Sequence, residues 1–129
     1  MNPYKEILPD GCPPYDAKEA NGVIFFRLVS TFPPAATDFL SPKALNPSRD
    51  FKAKECESRS LSVLINIKSA IDILKLPTQH GKLIAKLPLI SPAGMHEQTG
   101  SRRDHHSWWM YHDFNPIPVC ELVSLPEAE

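Results

Sequence analysis

Hydrophobic and polar positions sort into four stretches that predict strands and one that predicts a helix. Residues 23–29, Val-Ile-Phe-Phe-Arg-Leu-Val, are almost continuously apolar and rich in β-branched and aromatic side chains, which predicts a central strand buried on both faces. Pro33 and Pro34 end it. Leu61, Val63 and Ile65 alternate with Ser60, Ser62 and Leu64, the period of a half-buried strand. Asn66 then caps a helix in which Ile67, Ala70, Ile71 and Leu74 fall on one face, with Pro77 as its stop. Residues 82–87 follow Gly81 as a further strand, which Pro88 ends or places at an edge. A last strand is expected over residues 117–123, flanked by Pro116 and interrupted by Pro118.

Weaker signals fill the rest. Asp16, Glu19 and Asn21-Gly22 carry the capping pattern of a short helix over residues 16–20. Ser41-Pro42 begins a one-turn helix, and Ser48 is placed to cap another over residues 49–55, within a surface excursion at 35–59. Residues 94–116 read as one long loop. The expected fold is α+β: a small single domain with one mixed, mainly antiparallel sheet of four or more strands and a few short helices. Residues 60–87 form a strand–helix–strand unit, either a right-handed crossover or an antiparallel return. A Pro-rich arm (1–14) precedes the domain (15–124), and a short acidic tail (125–129) follows.

Composition narrows the function classes. With 14 Lys+Arg against 15 Asp+Glu, nothing pulls the chain globally towards nucleic acid, so high-affinity nonspecific nucleic-acid binding is not expected. No apolar run approaches the roughly 20 residues of a membrane helix, so no membrane partner is expected. Cys12, Cys56 and Cys120 are odd in number and far apart, and the first residues lack a basic start before an apolar stretch. The expectation is unpaired thiols and a cytoplasmic location.

Chemistry concentrates in residues 102–114. Arg102, Arg103, His105, His106, Trp108, Trp109, Tyr111 and His112 lie there together. Exposed, they make a binding surface: the arginines hold phosphates and an aromatic ring stacks on a base, or the indoles anchor a protein partner. Buried, the aromatics cover an open side of the core. The histidines with Asp113, His96 or a cysteine are also metal-ligand types, but no Cys-x-x-Cys or His-Glu-x-x-His spacing is present, and no metal site is assigned. The leading expectation is a small cytoplasmic binding protein that uses this stretch to hold a protein or a nucleotide-like partner, with no cofactor.

Arg27 and Glu121 are charged residues on apolar strands, and each needs a partner if buried. Their order with Ser62, in Ser60-Leu61-Ser62, resembles the arginine–serine–glutamate arrangement of the ADP-ribosyltransferases. The resemblance implies an enzyme that uses NAD, as a transferase or a hydrolase. Arg27 would grip the NAD phosphates, the Ser62 strand would support the nicotinamide side, and Glu121 would stabilise the ribosyl cation. This is the alternative expectation.

Overall fold

The structure, a computed structural model, describes residues 3–125. Its strands are β1 (Lys18–Glu19), β2 (Val23–Val29), β3 (Leu61–Leu64), β4 (Leu83–Leu89), β5 (Gly94–Gln98), β6 (His105–Met110) and β7 (Glu121–Leu122). Three short helices join them: α1 (Pro42–Leu45), α2 (Glu55–Ser58) and α3 (Ile67–Leu74). The strands form one sheet in the order β1-β5-β6-β3-β2-β4-β7, and every neighbouring pair is antiparallel. The chain is therefore the small α+β domain the patterning implies. β3 and β4 both pair with β2 from opposite sides, so they run parallel to each other with β2 inserted between them. The unit at 60–87 is thus a crossover that straddles a third strand.

Alternation sends the side chains to two faces. On one, Phe25, Leu61, Val63, Leu87, Leu89, Trp108 and Met110 pack with Phe39 and the chain at 114–120. On the other, Leu64 and Ile84, with Phe26 and Leu28, pack against Ala70, Ile67 and Ile71 of α3. α3 forms as its sequence requires, since the Asn66 side chain accepts the Lys68 N–H and its apolar stripe meets this second face. α1 does likewise, with the Ser41 hydroxyl capping Ala44 N–H.

Several expectations are corrected. Residues 16–20 form no helix: Lys18 and Glu19 pair with His96 and Met95, because a ladder satisfies more backbone groups than one isolated helical turn. β2 is interior but not buried on both faces, since Ile24 is exposed. Ser48 caps nothing; the Asp50 and Glu55 carboxylates accept the Lys52 and Phe51 N–H groups, and the chain makes a tight turn at Lys52–Lys54 before α2. In β3 the buried residues are Leu61, Val63 and Leu64, and Ile65 lies outside the strand, exposed. Residues 117–123 are a 3-10 turn (Ile117–Val119) followed by the two-residue β7.

The largest correction is within 94–116: residues 94–110 are a hairpin of β5 and β6, and only 111–116 lie outside it. Gly94 permits its tight pairing: φ is +134°, and a Cβ there would collide with the Trp109 carbonyl. A second correction concerns the thiols. Cys12 and Cys56 are joined in a disulfide, which ties the arm to α2 and removes unpaired thiols as a ground for placing the chain in a reducing compartment. Among the described residues Cys120 is the free cysteine. The arm also joins the fold through a bridge between Tyr4 and Tyr111. Of the expected acidic tail, residues 126–129 lie outside the described residues. No helix among the described residues is long and apolar enough to cross a membrane.

Candidate functional site: a groove beside the split in the sheet

β2 and β3 touch at one residue pair, Phe26 with Leu64, and then diverge. Divergence strips ladder partners from the facing backbone, whose polar groups then need other partners. Arg27 fills that gap. Its Nη1 donates to the Ser62 carbonyl at 2.6 Å and its Nε to the Asp38 carbonyl at 2.9 Å, with the guanidinium 5.7 Å from the Phe39 ring centre. Burial pulls the Arg27 pKa down to about 10, against the opposing pull of Asp38 and Cys120, so the group remains a cation near neutrality. Burial in turn pushes the Cys120 thiol up to about 11, which keeps it protonated and poorly nucleophilic.

On the helical face, the split opens into a groove between α2 and α3. Two adjoining hollows of about 210 and 230 Å³ make it up, and Ser62 and His105 line both. The pairing explains why these two meet. Ser62 lies opposite Ser107 and Leu64 opposite His105, so Ser62 and His105 are diagonal neighbours on one face. Phe51, Lys54, Glu57 and Ser58 wall the first hollow; Phe26, Gln79 and Lys82 wall the second. The α2 wall is braced by Glu55, whose carboxylate accepts the Phe51 N–H and pairs with Lys43 at 3.5 Å and Arg59 at 3.2 Å. That hydrogen bond from Phe51, outweighing desolvation and helped by the two cations, holds its carboxyl below the usual range.

The floor is ordered by a short polar relay. Thr99 Oγ1 lies 2.7 Å from Ser107 Oγ, and His105 Nδ1 lies 3.0 Å from the Thr99 carbonyl. A carbonyl accepts only, so that contact places the His105 proton on Nδ1. Nε2 is left as a lone-pair acceptor, on the ring edge away from Thr99. The Ser62 hydroxyl has no hydrogen-bond partner among the described residues. The groove therefore presents one acceptor and one hydroxyl on its floor, with an ammonium in each of its two hollows.

The other expected site residues lie elsewhere. Trp108 and Trp109 are 0% and 1% exposed, and their indole N–H groups donate to the carbonyls of Ala93 and Cys56. An exposed indole surface does not exist in this stretch, and the covering reading of these aromatics holds. Tyr111 is half-buried; its hydroxyl donates to Glu19 at 3.0 Å, and burial, with Glu19 beside it, pushes its pKa up to about 12. Arg102 and Arg103 are exposed in the β5–β6 turn, and His112 is exposed where its N–H meets the Pro3 carbonyl. His106 faces the opposite side from His105 and sets its Nδ1 3.0 Å from that of His96. Burial lowers both pKa values first, and a neighbouring histidine lowers each further.

Arg27 and Ser62 are brought together, though the contact is to the Ser62 backbone. Glu121 does not join them. It is exposed and lies in the row Phe26–Lys86–Glu121, one residue out of step with Arg27–Ala85–Leu122, so Arg27 and Glu121 leave opposite faces of the sheet. Sequence reasoning missed Ser107, Thr99, Lys54 and Glu57. The available signal was the alternation His105, Ser107, Trp109, which marks one face of a strand. Among the described residues no group of three or more His, Cys, Asp or Glu side chains is arranged to hold a metal ion.

No protein-family model matches the chain, and neither a curated protein nor a solved structure matches it, so the site is read from its own geometry.

Proposed function

We propose that this chain is a small binding domain whose groove takes a nucleotide-like ligand. The observation that supports it is the shared floor: Ser62 and His105 line both hollows, and His105 is fixed in one tautomer by Thr99. The two hollows together have the size of a small-molecule site. Lys54 and Lys82 suit phosphate, Glu57 suits a sugar hydroxyl or base amino group, and Phe51 offers an apolar wall. Titration calorimetry with AMP and with NAD tests this. Saturable binding that weakens about tenfold in His105→Ala, with the fold intact, supports the reading. Heat that is flat for both nucleotides sinks it.

A second reading, NAD-dependent ADP-ribosyl transfer or hydrolysis, draws support from the meeting of Arg27 and Ser62 alone. It predicts release of nicotinamide from NAD, abolished in Glu121→Gln. With Glu121 on the far face, unchanged turnover in that variant would remove the family's glutamate role from this chain.

A further inference from the structure

Apart from the groove, the chain encloses a hollow of about 240 Å³ where the N-terminal arm crosses the end of β3 and β6. Phe39, Leu61, Trp108, Trp109 and Met110 line it from the core, and Tyr4, Lys5, Glu6 and Leu8 from the arm. Apolar cavities of about 150 Å³ already accept a benzene ring. Tyr4, Phe39, Trp108 and Trp109 give this lining an aromatic character, which favours a planar occupant.

Polar side chains interrupt the apolar part of this lining, and one of them carries an unmatched atom. Arg59 lines the hollow, and its Nε is the single buried side-chain polar atom without a hydrogen-bond partner among the described residues. It cannot readily turn to find one. Nη1 is held by the Ile7 carbonyl at 2.6 Å, and Nη2 by Glu55 at 3.2 Å, so arm and α2 pin the guanidinium at both ends. Both indole N–H groups are already spent on backbone carbonyls. The unmatched group is thus one N–H donor on a guanidinium held at both ends, at the edge of the hollow. A buried donor left unmatched costs about 1–3 kcal/mol, which an acceptor on a ligand would relieve. Glu6 lines the same hollow and interacts with the Arg59 charge, so an anionic ligand would meet a carboxyl group already beside the guanidinium.

We infer that this hollow is a second binding site, taking a neutral planar ring that carries a carbonyl acceptor for Arg59 Nε. The arm is its outer wall, held by the Cys12–Cys56 disulfide, by Lys5 N–H on the Met110 carbonyl and by the Tyr4–Tyr111 bridge. The site is independent of the groove, because none of its lining residues is shared with the groove's two hollows.

Benzamide and ethylbenzene serve as probes of similar shape, with and without the carbonyl. The chain's two tryptophans both line the hollow, so indole emission reports occupancy, and nitrogen-edited NMR reads the Arg59 Nε–H directly. Benzamide is expected to saturate the emission change, move the Nε–H resonance downfield and bind about tenfold more tightly than ethylbenzene. Arg59→Lys should erase that preference. Ala44→Phe, on the exposed rim of the hollow, should block both probes while leaving the circular dichroism spectrum unchanged. Equal binding of the two probes, an unmoved Nε–H resonance, or no binding of either overturns the inference.

Discussion

Two hollows of similar size, about 240 Å³ beneath the arm and about 210 Å³ beside α2, are built by opposite means. The first is closed by chain connection: a disulfide, a strand bridge and a pinned arginine draw residues 4–12 over two buried indoles. The second is open, floored by a cross-strand row of small polar side chains and walled by single helical turns. A covalent tie restricts the unfolded chain and acts on global stability. A hydroxyl–imidazole relay acts locally, on the tautomer and direction of one ring. The difference separates two means of construction: chain connection around the first hollow, and side-chain hydrogen bonding beneath the second.

The largest test of this contrast is removal of the tie. Replacing both Cys12 and Cys56 by Ser opens a loop with a sequence separation of 44. Chain-entropy reasoning gives a loss of about 4 kcal/mol, read from denaturant midpoints. Emission from Trp109, whose N–H is held by the Cys56 carbonyl, should shift to the red, while the His105 imidazole resonances stay in place. If the His105 signals move as much as the indole emission, the two hollows form one cooperative unit and the contrast fails.

Arg27→Met comes next. It leaves the Ser62 and Asp38 carbonyls without their donor, at a cost of about 2 kcal/mol. Since the split between β2 and β3 lies against the groove, hydrogen exchange at Val63 and Leu64 should quicken while amides at β5 and β6 do not. A stability within about 0.5 kcal/mol of the parent would show that Arg27 does not seal the split. Thr99→Val is smaller. It preserves shape, removes one hydroxyl from Ser107 and His105, and costs about 1 kcal/mol. The carbonyl contact to Nδ1 survives, so nitrogen chemical shifts of His105 should report the same tautomer. A switch to Nε2–H would place control in the hydroxyl and not the carbonyl.

The same contrast explains what could be read from the chain beforehand. Strands β2, β3 and β4 and helix α3 were legible because each buries one regular stripe, and local periodicity suffices. β5 and β6 were not: His, Glu, Gln and Ser alternate there with Met and Trp on two covered faces, and polar residues satisfied by cross-strand partners look like loop residues. The disulfide joins positions whose approach depends on how the arm folds back, which no spacing encodes. Of the site, Ser62, Arg27 and His105 were visible as odd residues. Their meeting was not, because it depends on a sheet that splits after one residue pair.

The smallest effect concerns a carboxyl pair on the groove's face of β5. Glu97 shares a hydrogen bond with Asp16, and that bond, with burial and the charges of Asp16 and Glu57, pushes the Glu97 pKa up to about 7. Asp16, which takes the other side of the bond, is lowered. The sign follows from linkage: a carboxyl whose folded pKa lies above its unfolded value favours the protonated fold. Its contribution is complete below the ordinary Glu pKa and is lost as pH rises through about 7. Asp16 works in the opposite sense at lower pH. Carboxyl-carbon NMR titration should show Glu97 with a midpoint near 7 in the parent and near the ordinary glutamate value in Asp16→Asn. Because the pair is largely solvated, the stability change should be slight, and the midpoint is the decisive reading. A Glu97 midpoint unmoved by Asp16→Asn would assign the shift to Glu57 on the α2 wall of the groove.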